Sequence, residues 1–247
     1  MMMLTRLLVR SAALATSLTV VSVSSASANT ISLSDIARGR YSTTTNIGNA
    51  ANNFYGTGYF NGGVPNSFTE WRSWFAFNLA GISGTITGAT LQLNAGTYSS
   101  PDASETFELH QVTTAVNLLG SNNNNGAVFT DLGDGAVYGT HVFDASQNST
   151  TLSIALDAAA ITDIQAQLGQ SFALGGLLTT LSSSGSTNER AMFGTQANVS
   201  LVLTGNDLQA VPEPATFGLV ATGLISLMRR RRRQIRGWQP VVKDAIQ

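Results

Sequence analysis

Between residues 71 and 204, apolar and polar residues alternate with a period of two in one run after another. In residues 71–79 the odd positions carry Trp71, Phe75, Phe77 and Leu79. Ala89, Leu91 and Leu93 alternate with Thr90, Gln92 and Asn94. Phe107 and Leu109 alternate with Glu108 and His110. Leu152, Ile154 and Leu156 alternate with Thr151, Ser153 and Ala155, and Val199, Leu201 and Leu203 with Ser200, Val202 and Thr204. Successive side chains of a strand point to opposite faces, so each run predicts a half-buried strand. Another run opens at Phe172 and Leu174, and shorter strands are expected near 41–45, 54–60 and 137–143. Glycine- and asparagine-rich stretches at 61–66, 121–126 and 182–188 read as loops. One segment has a different period. Asp157 suits an N-cap, Ile161, Ile164 and Leu168 fall at helical spacing, and Gly169 sits where a helix stops, predicting a helix over 157–168. The expectation is an all-β body, a jelly-roll-like β-sandwich with one short helix.

Composition narrows the chemistry. The 247 residues include no cysteine, which excludes a disulfide scaffold, a thiol nucleophile and sulfur-ligated zinc. Two histidines, His110 and His141, leave little room for a histidine-rich metal centre. The formal charge of −1 averages unlike regions. Arg6 and Arg10 open the chain, and Arg229–Arg233, Arg236 and Lys243 close it. Residues 29–210 hold Arg38, Arg40, Arg72 and Arg190 against twelve acids, a net −8 with no lysine. An acidic body argues against a nucleic-acid partner, which requires a positive face.

The two ends read as targeting signals. Arg6 and Arg10, the apolar stretch 11–23 and the small-residue triplet Ala26-Ser27-Ala28 have the order of a cleavable signal peptide over 1–28. After Asp207 the composition changes. Val211-Pro212-Glu213-Pro214 precedes fourteen uncharged residues, then Arg229, Arg230, Arg231, Arg232 and Arg233. Extended through Arg233 as a helix from Ala215, this segment is about 28 Å long, close to the ~30 Å hydrocarbon core if the arginines snorkel. The arginines then face the cytoplasm and the acidic body faces outward. The organisation is therefore a signal peptide (1–28), a β-sandwich ectodomain (29–210), an anchor segment (211–233) and a short cytoplasmic tail (234–247).

The Pro212-Glu213-Pro214 triplet, the short apolar helix and the arginine cluster together resemble the PEP-CTERM sorting signal. The resemblance implies an exosortase-type membrane peptidase as partner, cutting near the triplet and delivering the ectodomain to the cell surface or matrix. It also implies a Gram-negative-type bacterium that makes exopolysaccharide. The tail departs from the pattern by running on to Gln247. Residues 72–93, with Trp74-Phe75-Ala76-Phe77 followed by Gly88-Ala89-Thr90-Leu91-Gln92-Leu93, are similar in layout to DNRLRE-type carbohydrate-binding sandwiches.

Candidate chemistry within the body is sparse. Trp74, on the opposite parity to Phe75 and Phe77, could join Tyr55, Tyr59, Tyr98 and Tyr138 in a platform for sugar rings, or lie buried under the helix. Asp131 and Asp134 flank Gly133 and Gly135 and could hold Ca²⁺, or form an Asp-Gly turn. Asp102, Glu105 and Glu108 cluster after Pro101, as glycosidase carboxylates or as a solvated loop. No nucleophile-elbow or phosphate-loop sequence occurs. The expectation is an exported, exosortase-sorted, non-enzymatic surface or matrix protein. It has no catalytic residues and no required cofactor, and it is associated with extracellular polysaccharide. The alternatives are a secreted polysaccharide-modifying enzyme and a self-assembling structural subunit.

Overall fold

The computed structural model describes residues 28–42, 54–61, 68–121, 126–182, 188–195 and 199–210. The expected signal segment up to Ser27, including Ala26, lies outside them. So do Val211, Pro212, Glu213, Pro214, Arg229–Arg233 and the tail. Ala28, the last residue of the expected signal, begins the first strand.

Among the described residues, eleven strands pair antiparallel throughout. The strand β1 (Ala28–Ser42) joins two layers. Its first half pairs with β11 (Ser200–Ala210), and its second half with β3 (Thr69–Asn78). The register shifts between Asp35 and Ala37, where the strand changes partner. One layer continues from β11 to β4 (Ile82–Asn94) and β8 (Thr151–Ala155). In the other, β3 is flanked on one side by β9 (Ser171–Leu178), β6 (Glu105–Gln111) and β7 (Val137–Phe143). On its other side lie β2 (Phe54–Phe60), β10 (Glu189–Thr195) and β5 (Thr97–Ser99). The fold is all-β and sandwich-like.

The alternation places the core. Phe75 and Phe77 from β3 and Leu91 and Leu93 from β4 are each 0% exposed and share one apolar cluster between the layers. Phe77 pairs with Phe172, and Leu91 with Leu201, so matching parity on neighbouring strands brings large side chains together.

The expected helix is present as α3 (Ala158–Ala166). The Asp157 carboxylate accepts the Ala160 N–H at 2.8 Å, and Gly169 takes φ +83° beyond the helix end. The expectation of a single helix needs correcting. Two more, α1 (Val116–Leu119) and α2 (Gly126–Asp131), lie against the outer face of the β3–β9 sheet, and a 3-10 turn spans Ala145–Gln147. Elements of three to six residues are too short to show a helical period. Among the described residues no helix is long and apolar enough to cross a membrane.

This outer layer decides the fate of Trp74. It is 0% exposed and belongs to a second apolar cluster with Tyr41, Leu119, Phe129 and Leu132. Close approach is possible because glycines line the sheet there. A Cβ on Gly175 would lie 2.4 Å from the Leu132 carbonyl oxygen, and one on Gly39 would lie 2.7 Å from the Trp74 indole nitrogen. The Tyr41 hydroxyl donates to the Leu119 carbonyl at 2.6 Å, tying the layer down. Trp74 is therefore the floor of this layer, and its ring offers no surface to a sugar.

Candidate functional site

A cavity of about 630 Å³ lies at one end of the sandwich. That is within the range of small-molecule sites. Its walls come from the end of β6 and the residues after it, from β7, from α3 and from the start of β9. The helix α3 is held across this end from both sides. Gln165 accepts the Ile86 N–H at 2.7 Å and donates to the Gly84 carbonyl at 3.2 Å, fixing α3 to β4. Ala160 and Ile164 are buried in the core beneath. Asp163 ties the helix to the other layer. Its Oδ2 accepts the Gln111 amide at 3.0 Å and, in a short hydrogen bond, the Tyr138 hydroxyl.

This arrangement gives the cavity its electrostatics. Burial, followed by the hydrogen bond from the tyrosine to Asp163 and that carboxylate's charge, pushes the Tyr138 hydroxyl well above its ordinary pKa. Tyr138 therefore stays a proton donor. Both donors converge on Oδ2, and Asp163 Oδ1 takes no hydrogen bond among the described residues. Asp163 is the single carboxylate in the lining, and no histidine, lysine or arginine lines it. Tyr138 stacks on Phe172 with ring centroids 6.4 Å apart and planes 21° from parallel, and both rings are buried behind the cavity. Asn117, Gln167 and Gln170 supply carboxamides to the exposed rim.

The residues singled out from sequence are distributed elsewhere. Asp131 directs both carboxylate oxygens at the residues after β6. It accepts the Thr113 N–H at 3.0 Å, the Thr113 hydroxyl at 2.6 Å and the Thr114 N–H at 2.7 Å. Burial raises its pKa, but the Thr113 and Thr114 hydrogen bonds outweigh it and hold the carboxyl below its ordinary value. Asp134 is exposed. The tyrosines do not form a strip: Tyr55 and Tyr138 are 0% exposed, and Tyr59 stacks on Phe68. His110 is buried, with Nδ1 3.0 Å from the Gly135 carbonyl and Nε2 3.3 Å from Glu108.

The sequence cluster after Pro101 divides. Glu108 turns to His110, whereas Asp102 and Glu105 meet Glu189, with ligand oxygens of all three within 4.8 Å of one another. Among the described residues these are the three carboxylates placed closely enough to hold a metal ion. Glu105 and Glu189 are 0% exposed. Glu105 accepts the Ser100 hydroxyl at 2.6 Å and the Thr180 hydroxyl at 2.5 Å, and Glu189 accepts the Ser182 N–H at 2.5 Å. The Ser182 hydroxyl donates to Asp102 at 2.9 Å. The cluster thus knots the loop before β6 to the segment after β9.

The body ends where β11 ends, at Ala210. A family model described as the PEP-CTERM protein-sorting motif matches residues 210–233. The chain carries a PEP-CTERM sorting motif. The match begins on the last residue of β11. The motif implies processing by exosortase, a membrane protein, and makes this an exosortase-sorted protein of the cell surface or extracellular space. No curated protein matches the chain.

Proposed function

We propose that this exosortase-sorted protein is a non-catalytic surface or matrix component whose sandwich holds extracellular polysaccharide in the α3 cavity. The supporting observation is the cavity itself: about 630 Å³, one carboxylate and a rim of carboxamides. Sugar hydroxyls pair with carboxylates and amides. Glycoside hydrolysis ordinarily uses two carboxylates flanking the scissile bond, and the lining supplies Asp163 alone. The buried knot of Asp102, Glu105 and Glu189 is remote from that role, because two of its three members are sealed from solvent.

On this reading the signal peptide over 1–28 is removed. The 211–233 segment then anchors the precursor in the inner membrane until it is processed. Replacing Glu213 by Ala should leave membrane insertion intact and block processing, whereas replacing Arg229–Arg233 by Ser should impair retention. The binding claim is tested by incubating the purified full-length chain with a panel of polysaccharides. The expected outcome is retention of a polysaccharide without release of reducing ends. Release of reducing ends would favour the enzymatic alternative.

A further inference from the structure

Resting on that reading, we infer that the α3 cavity accepts a glycan free of anionic groups and rejects uronate, sulfated and phosphorylated sugars. The first ground is the cavity. Its one carboxyl group is that of Asp163, whose Oδ1 takes no hydrogen bond among the described residues while Oδ2 is already engaged by Tyr138 and Gln111. A carboxylate oxygen so placed accepts hydroxyl protons, and a second anion brought beside it is repelled. The rim carboxamides Asn117, Gln167 and Gln170 donate and accept equally well but carry no charge to offset that repulsion.

The second ground is independent of the cavity and concerns the whole ectodomain. Residues 29–210 contain four cationic side chains, and all four are drawn into the fold. Arg38 is 7% exposed and lies 3.4 Å from Asp35. Arg40 is 9% exposed, its guanidinium enclosed by Phe54, Phe60 and Trp71 at 4.4, 5.1 and 4.4 Å from the ring centroids. Arg72 bonds Glu70 at 2.9 Å and the Phe129 carbonyl at 3.2 Å. Arg190 is half-buried near Arg40. Against these stand twelve acids, several of them exposed, including Asp102, Asp134, Asp157 and Asp207. Recognition of sugar acids or phosphates calls for arginine or lysine at the ligand. Here the surface potential acts in the opposite sense, so a polyanion meets repulsion before it reaches the cavity.

The test measures binding of the full-length chain, in detergent with a chelator present, to a glycan array containing neutral and uronate polymers. Retention of neutral glycans that changes less than twofold between 20 and 300 mM salt is expected, because screening has no charge pair to weaken. Asp163→Ala should lower that retention at least tenfold. Gln170→Lys, on the exposed rim, should raise uronate binding at least tenfold at low salt, with the melting temperature reporting that each variant folds. Uronate binding that persists when Arg229–Arg233 are changed to Ser, that Gln170→Lys strengthens and that Asp163→Ala does not weaken would overturn this inference and leave the polysaccharide reading standing. Absence of retention for every glycan on the array would overturn both.

Discussion

Glu105 and Asp163 are carboxylates at the margins of one core, and their surroundings differ in kind. Glu105 is 0% exposed, and each of its oxygens accepts a hydroxyl from the body, from Ser100 and from Thr180. Asp163 is half-buried on α3, uses one oxygen for two donors and presents its group to a cavity of about 630 Å³. Both accept two hydrogen bonds, but neither oxygen of the first is left without a donor, whereas one oxygen of the second is. A carboxylate fully satisfied inside a fold contributes to stability, whereas one with spare acceptor capacity beside a cavity is equipped for a ligand. Substitutions at the two should therefore be felt in different measurements.

The core on which both rest sets the scale. Phe77→Ala removes a fully buried ring from the centre of the sandwich and should cost about 3–5 kcal/mol in a denaturant titration. Trp74→Ala belongs to the same class. The ring is sealed beneath α1 and α2, so the change should destabilise by about 3–5 kcal/mol, and its effects on binding should follow stability. If Trp74→Ala instead weakened glycan retention at unchanged stability, the ring would have to be accessible in solution.

Glu105→Ala comes next. It leaves the Ser100 and Thr180 hydroxyls without their acceptor and should cost about 2–4 kcal/mol without altering glycan retention. A variant of unchanged stability would remove the structural half of the comparison.

A smaller effect is expected in alkali. Burial pushes the Tyr55 hydroxyl up to about 12, while it donates to the Asn94 carbonyl at 2.6 Å. Tyr41, Tyr98 and Tyr138 are shifted in the same direction, each chiefly by burial. A phenol whose folded pKa is raised contributes stability that is fully present below the unfolded value near 10 and is lost as pH rises towards the folded value. Thermal melts should therefore fall between pH 10 and 12, with Tyr55 accounting for roughly 2 kcal/mol. Tyr55→Phe should flatten that limb.

How far these regions were legible in the sequence follows from the range of the interactions that build them. Period-two runs placed Phe75, Phe77, Leu91 and Leu93 in the core, because alternation is local and one face is buried. The helix α3 was legible from its cap, its spacing and Gly169. Of β1 only the end at Tyr41 and Ser42 is expected from sequence, although Ile31 and Leu33 alternate with Thr30, Ser32 and Ser34. Those two residues are only half-buried, and the hydrophobic contrast is weak. The burial of Trp74 depended on α1 and α2, which are too short to show a period. Glu189 joins Glu105 through strands distant in sequence, which no local pattern reports. The cavity is harder still, since five separate elements, β6, α1, β7, α3 and β9, build it. One signal was present: Asp163, Gln167 and Gln170 recur at intervals of four and three, a polar stripe beside the apolar one formed by Ile161, Ile164 and Leu168. The sorting motif was the easiest feature to read, because its three parts are contiguous and need no tertiary contact.

The most direct test of the account is glycan retention by the Asp163→Ala chain measured beside its thermal melt. The account predicts at least a tenfold loss of neutral-glycan retention by a variant that is still fully folded at the assay temperature, its melt lowered because the buried Tyr138 hydroxyl and the Gln111 amide lose their acceptor at a cost of about 1–3 kcal/mol. Unchanged retention by the folded variant would contradict it and remove Asp163 and its cavity from any part in holding polysaccharide.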